Sequence, residues 1–263
     1  MKVVLFCGGQ GLRLREYNEA VPKPMVPIGS RPILWHVMRY FAHHGHREFV
    51  LCLGYRAEVI KDYFLRYSEA LSNDFVLSAG GRDLQLLSTD IDDWRITFAD
   101  TGLHANIGQR LRAVRRHLGD DEIFLANYGD TLTDAPLDRL IEEFRRTDHV
   151  AAFLAIRPTY SFHVVDAGDD GTVRSIRHVR ESGTRINGGY FIFRREIFDY
   201  LREGEELVEA PFLRLMEAGR LMAFRYDGFW APMDTLKDKQ DLDTMWDRGD
   251  PAWAVWRHGD QAP

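Results

Sequence analysis

Residues 2–29 read KVVLFCGGQGLRLREYNEAVPKPMVPIG. The first six form a short β-rich apolar run, the pattern of a strand buried on both faces of a parallel sheet. Gly8, Gly9 and Gly11 crowd the next four positions, Arg13 follows, and Lys23 is held between Pro22 and Pro24. A strand leading into a glycine-rich turn lets backbone N–H groups come close to phosphate oxygens, through φ values that other residues resist. Arginine adds a forked donor and lysine a compact point charge. The prolines restrict the backbone around Lys23, so less of it has to be ordered at binding. Two familiar spacings fail here. The P-loop form needs Gly-Lys where Arg13 stands, and the dinucleotide fingerprint needs a glycine at Arg13 or Leu14. The alternative is a plain glycine/proline loop, but both halves together after a first strand favour phosphate binding.

Outward from this stretch, strands and helices alternate. "RPILWHVMRYFAHHG" carries apolar residues at helical spacing, with Pro32 in its first turn and Gly45 as a stop. "EFVLCLG" reads as a strand and "RAEVIKDYFLRYSEAL" as one helix. "ITFAD" is a strand, "IGQRLRAVRRHLG" a helix, "EIFLANYGD" a strand, "PLDRLIEEFRRT" a helix and "VAAFLAI" a strand. Such alternation predicts βαβ units and a parallel sheet covered on both faces. After residue 156 the texture becomes β-rich: "FHVVDA" and "TVRSIRHV" flank the turn signal "GDDG", and "GGYFIFRR" and "LMAFRYDGFW" are strand-like. Helices return at "EIFDYL" and "VEAPFLRLMEAG", and Thr235 to Trp256 is helical in pattern. No repeat or linker interrupts the chain. One domain is expected over 1–263, with an alternating strand–helix half at 1–156, a β-rich half at 157–234 and a helical tail at 235–263.

Composition narrows the partners. The 263 residues are 45% hydrophobic, enough for a large core, and the net charge is −6. No long Lys/Arg block appears, which argues against a nucleic-acid partner. Cys7 and Cys52 both sit in apolar runs and read as small core residues, in keeping with a reducing compartment. No signal peptide precedes the first strand, and no apolar run approaches the ~18 residues of a membrane span. A soluble cytoplasmic protein without a membrane partner is expected.

The sequence resembles the sugar nucleotidyltransferases, and within them the glucose-1-phosphate cytidylyltransferases. The matching stretches are "GGQGLRL", "PKPMVPIGSRPILWHVM", "GHREFVLCLGY", "VIKDYF", "DTG", "YGD", "INGGYF" and "GFWAPMDTLKDK" with a Trp-rich tail, spanning essentially the whole chain. The resemblance implies an α/β fold of the nucleotide-diphospho-sugar transferase type: a Rossmann-like, mostly parallel sheet flanked by helices, with a smaller β-rich sugar-binding part. It implies attack of a sugar 1-phosphate oxygen on the α-phosphorus of CTP, Mg²⁺ as cofactor, and a homo-oligomer.

Residue by residue, the resemblance places Gly8, Gly9, Gly11, Arg13, Lys23, Arg110 and Gly129 at the nucleotide. Arg13, Lys23 and Asp130 are the catalytic candidates, and Asp130 with Asp234 the metal ligands. Asn187 and Gly188 fall on the sugar-binding turn. Other readings stay open: Asp130 as a turn residue or cap (though Asp134 suits the cap better), Asp234 as a helix cap, Arg110 as part of a solvated helix face, and Asn187-Gly188-Gly189 as a hairpin turn. His36, His43, His44 and His46 resemble a metal cluster, but His36 lies mid-helix and His43, His44 and His46 crowd the helix end, where cations suit the dipole, so a zinc site is disfavoured. The tail tryptophans Trp246, Trp253 and Trp256 either face another subunit or pack back on the chain.

Three departures stand out. Leu12 replaces the family's threonine in the glycine loop. No lysine stands in Ile176–Ser182, where the family has a Glu-Lys-Pro, which leaves Arg177 or Arg180 as the phosphate cation. His163 replaces a glycine that borders the sugar. Two departures lie on the sugar side, so the expectation is retained nucleotidyl transfer with an acceptor other than plain glucose 1-phosphate; the alternative within the same chemistry is another triphosphate, such as UTP or dTTP, or a modified sugar or cyclitol phosphate. A non-catalytic homologue would have lost Arg13, Lys23, Asp130 or Asp234, and all four are present. A dinucleotide-dependent oxidoreductase is disfavoured by the glycine spacing.

Overall fold

A computed structural model describes residues 1–9, 21–158 and 162–257. Gly11 and Arg13 lie outside the described residues, as does Leu12. The centre is an eight-stranded sheet built from β1 (Lys2–Phe6), β2 (Glu48–Leu53), β3 (Arg95–Asp100), β4 (Ile123–Tyr128), β5 (Ala151–Ile156), β6 (Ile186–Asn187), β7 (Phe191–Arg194) and β8 (Leu221–Tyr226). β1 lies between β2 and β4, parallel to both, and β3 extends the β2 edge in the same sense. β7 runs antiparallel to β4 and to β5, while β8 is parallel to β5. All strands but β6 and β7 therefore point one way.

β1 explains why both faces are covered. Val3, Leu5 and Cys7 point into one core with the helix Ile33–His43, while Val4 and Phe6 point into the other with Leu111 and Val114. Alternate residues of an apolar strand serve opposite faces, so a continuous apolar run is needed. Cys7 and Cys52 are both buried and unpaired as thiols, and burial pushes both thiols above their usual range.

Several local readings change. The run at 56–71 is two helices, Ala57–Leu65 and Glu69–Ser72, because Ser68 caps the second by accepting from the Leu71 N–H and the Tyr67 hydroxyl is drawn off to Asp90. A hairpin, Phe75–Ser78 with Asp83–Leu86, turns at Gly80 and Gly81, both at positive φ. Asn187-Gly188-Gly189 is no hairpin turn. β6 and β7 both pair with the same edge of β5, and the residues between them bulge out of that ladder, with Gly189 at φ 73°. Asp134 caps nothing. The helix Leu137–Arg145 starts after Pro136 without a side-chain cap, and the Asp134 carboxylate instead accepts from the Tyr226 hydroxyl and the Phe229 N–H. The tail is one helix, Leu236–Asp247, then a break at Gly249 and a single turn, Val255–Arg257. It packs back: Trp253 is 1% exposed and its indole donates to His36 Nδ1 at 3.3 Å. No helix among the described residues is long and apolar enough to cross a membrane.

Candidate active site

The strand order puts a crossing point between β1 and β4. The chain leaves β1 toward β2 on one side, and β4 pairs on the other. Open α/β sheets bind ligands at such points, beyond the carboxyl ends of the strands. A cleft of about 460 Å³ lies there, lined by Gly8, Gly9, Lys23, Asn106, Arg110, Tyr128, Asp130 and Asp234. Gly129 follows β4, and its N–H donates to the Phe6 carbonyl at 3.2 Å, holding the two strand ends together. A Cβ on Gly129 would lie 2.9 Å from Cys7 Sγ, so only glycine allows that approach.

Arg110 is not on a solvated face. It is 3% exposed, and Nη1 donates to the Leu53 carbonyl at 3.1 Å and to Thr101 Oγ1 at 2.7 Å. Nη2 donates to the Gly8 carbonyl at 3.0 Å and the Leu103 carbonyl at 3.5 Å. The fork is therefore spent on carbonyls and one hydroxyl, and burial lowers its pKa. Its cationic charge stands at the edge of the cleft while its hydrogen bonds fix the start of the glycine turn.

Lys23 rises from a single 3₁₀ turn, Lys23–Met25, closed by Met25 N–H to the Pro22 carbonyl at 2.8 Å. Pro24 and Met25 are buried in this turn, so it is fixed to the core while the lysine stem projects into the cleft. Its ammonium lies 2.5 Å from Asp130 Oδ2 and 2.6 Å from Asp234 Oδ1. Burial works against the ammonium, but the two carboxylates outweigh it and raise its pKa.

Asp130 and Asp234 are brought together by a three-residue ladder. Trp230–Pro232 runs antiparallel to Thr131–Thr133, pairing Pro232 with Thr131, and Met233 N–H donates to the Asp130 carbonyl at 3.0 Å. Asp130 immediately precedes Thr131 and Asp234 lies two residues past Pro232, so both aspartates leave the same end of this ladder. Neither is a cap. Thr235 caps the helix Leu236–Asp247 in a capping box with Asp238, which leaves the Asp234 carboxylate to face Lys23. Two carboxylate oxygens within 2.6 Å of one nitrogen face a common point, and hard oxygen donors so placed suit a Mg²⁺-type cation. No third His, Cys, Asp or Glu joins them, and the histidines of the helix Ile33–His43 form no metal cluster, among the described residues. Such a cation would complete its shell with substrate oxygens and water.

The sugar-side candidates divide. Asn187 accepts from the Gly189 N–H at 2.9 Å, and Tyr128 lines the cleft, its pKa pushed up to about 12 by burial and nearby carboxylates. Gly188 sits where a Cβ would lie 3.0 Å from Ile156 and from Trp230 Nε1. His163 and Arg177 lie on the exposed hairpin His163–Ala167 with Val173–His178, where His163 pairs with His178. Arg180 lines a separate cavity of about 620 Å³ with Trp230, Thr235 and Lys237. Structure thus gathers Gly8, Gly9, Lys23, Arg110, Asp130 and Asp234, and sets His163, Arg177 and Arg180 apart.

The family model described as nucleotidyl transferase matches residues 2–237. The chain belongs to the nucleotidyl transferase family. It is 36% identical over 97% of its length to glucose-1-phosphate cytidylyltransferase of Salmonella typhi, covering all of that protein. It shows the same identity and coverage with the probable glucose-1-phosphate cytidylyltransferase of Bacillus subtilis. In fold it resembles a putative glucose-1-phosphate thymidylyltransferase from Bacillus anthracis, with a TM-score of 0.67 at 16% identity, covering 93% of this chain and 94% of that one. Within this nucleotidyl transferase cleft, Tyr128 and Asn106 were not singled out by sequence. Asn106 had a readable signal: with Gln109 three residues on, it forms a capping box at the mouth of the helix Ile107–Val114.

Proposed function

We propose that the protein joins CTP and glucose 1-phosphate to give CDP-glucose and pyrophosphate. The observation that carries the reading is the meeting of Lys23, Asp130 and Asp234 within 2.6 Å in the cleft, in a chain 36% identical to glucose-1-phosphate cytidylyltransferases. A phosphate oxygen of the sugar forms a bond to the α-phosphorus, and the bond from that phosphorus to the β-phosphate oxygen breaks. The nucleophile is already an anion, so the obstacle is bringing two polyanions into line, and no strong base is needed. Lys23 neutralises charge between the attacking phosphate and the α-phosphate. Gly8 and Gly9 offer backbone N–H groups to the triphosphate, with Gly11 and Arg13 assigned to the same task by resemblance. Arg110 holds Gly8 in place and adds positive charge behind it. Asp130 and Asp234 hold a divalent cation, Mg²⁺, which supplies neutralisation of the phosphate oxygens when bound. Asn187 and Gly188 border the acceptor's sugar.

A second reading keeps the transfer and changes the acceptor. The chain has no lysine at Ile176–Ser182, and Arg177 and Arg180 do not line the cleft with Asp130. A modified sugar or cyclitol phosphate would then be preferred. One experiment decides both: purified protein and Mg²⁺ with four nucleoside triphosphates against a panel of sugar phosphates, reading pyrophosphate release and the product's mass. CTP with glucose 1-phosphate should give the highest kcat/KM. A higher value for another acceptor supports the second reading, and no pyrophosphate from any pair refutes both.

A further inference from the structure

Within the cleft, the head of Lys23 is held between the two carboxylates. An ammonium has three protons, and two of them are engaged by Asp130 Oδ2 at 2.5 Å and Asp234 Oδ1 at 2.6 Å. To touch both oxygens it must occupy the space between them. A Mg²⁺-type cation bound by the same two oxygens, with metal–oxygen distances of about 2.0–2.1 Å, needs that same space.

We propose that Lys23 and the divalent cation are alternative occupants of the Asp130–Asp234 pair, and that the triphosphate decides between them by giving the ammonium a new partner. The proposal rests on the reading of Asp130 and Asp234 as metal ligands. Three features support it. The two occupants are like-charged, so they repel at this separation. The turn that carries Lys23 is fixed, with Pro24 and Met25 buried and the Met25 N–H bonded to the Pro22 carbonyl. Exchange is therefore a rotation of a four-carbon stem rather than a loop movement. Finally, Asp130 has a second, local hold: Thr131 Oγ1 lies 3.3 Å from its Oδ1, so the carboxylate stays in place when the ammonium leaves.

This makes Lys23 a gate as well as a charge. Divalent cation binds weakly before nucleotide and strongly after it, so the carboxylates are not loaded without substrate. The ammonium also keeps two facing carboxylates from repelling each other until then.

The test measures Mn²⁺ binding to the full-length protein without nucleotide, by the loss of the free Mn²⁺ electron paramagnetic resonance signal. Lys23→Met should bind Mn²⁺ tighter than wild type by about tenfold or more, the order of one charge-assisted hydrogen bond no longer competing. Lys23→Gln, which keeps a polar head of similar reach, serves if the methionine variant does not fold, and should shift the same way. The gain should vanish when Asp234→Asn is added to either variant. Equal or weaker Mn²⁺ binding in the folded Lys23 variants overturns the proposal. If wild-type binding still falls on Asp234→Asn in that case, the metal reading survives while the competition does not. A gain that persists in the double variant places the cation elsewhere and overturns both.

Discussion

Acidification should destabilise the protein through His36, and the size of the effect follows from its surroundings. The ring is 0% exposed, with Nε2 3.1 Å from the Ile28 carbonyl and Nδ1 accepting from the Trp253 indole at 3.3 Å. An indole N–H can only donate, so Nδ1 must carry a lone pair and the ring is the neutral Nε2–H tautomer. Burial, with Arg257 and Arg31 as nearby cations, lowers its pKa from 6.5 to about 4. The unfolded chain takes up this proton near pH 6.5 and the folded chain only near pH 4. Between those values the unfolded state binds more protons, so stability is full above about pH 6.5 and falls as pH falls. The slope is about 1.4 kcal/mol per pH unit, and the whole window is worth about 3 kcal/mol. That is a large part of the 5–15 kcal/mol that a domain typically has. His46, whose burial also lowers its pKa to about 4, adds in the same direction, so the test is a difference. In His36→Gln the amide can still donate to Ile28 and accept from Trp253 but takes no proton. Urea unfolding from about pH 7 to about pH 5 should show wild type losing about 2 kcal/mol more than the variant over that range, at constant m. Parallel pH profiles would refute the assignment of His36 as a buried neutral ring.

Gly108 lies inside the helix Ile107–Val114, where alanine would ordinarily gain about 1 kcal/mol. Here a Cβ would stand 2.2 Å from the Glu205 carbonyl oxygen, so Gly108→Ala should instead destabilise by about 1–3 kcal/mol in thermal unfolding. Arg110→Met removes the charge-assisted hydrogen bonds to the Gly8 and Leu53 carbonyls and to Thr101 Oγ1, while the Tyr55 and Thr101 N–H groups still donate to those carbonyls, so the cost should be about 1–3 kcal/mol from the lost bonds themselves. Its KM for CTP should rise by at least about tenfold, because the glycine turn loses both its anchor and a standing positive charge. An unchanged KM would return Arg110 to a purely structural role.

The central strands were legible because β1, β2, β4 and β5 are buried on both faces, and that burial forces continuous apolar runs such as Val3 to Cys7. Where one residue has a competing bond, the pattern misled. The run from Ala57 to Ser72 keeps a helical period, yet Ser68 and Tyr67 each have a better partner than the helix offers. The bulge at Gly188 and Gly189 shares its composition with a tight turn. What separates the two is that both flanking strands pair with one neighbour, β5, and no local sequence records that. The hairpin Phe75–Leu86 carries its signal in Gly80-Gly81 between two short apolar runs.

The site shows the same divide more sharply. Lys23 was legible because the proline turn that fixes it is local, and Asp130 because it follows an apolar strand. Their convergence with Asp234 was not legible from spacing, since it depends on a ladder three residues long with a proline at one end. Pro232 has no N–H to give, so such a strand carries little signal of its own. What fixes it is tertiary: Tyr226 and the Phe229 N–H both bond Asp134, Thr133 Oγ1 donates to the Phe229 carbonyl at 2.7 Å, and Trp230 Nε1 donates to the Gly188 carbonyl at 2.7 Å. The residue that looked like a cap, Asp134, is thus what holds the second metal-ligand candidate in register. The same indole ties that register to the bulge at Gly188 and Gly189, so two irregular pieces of backbone far apart in sequence hold each other in place.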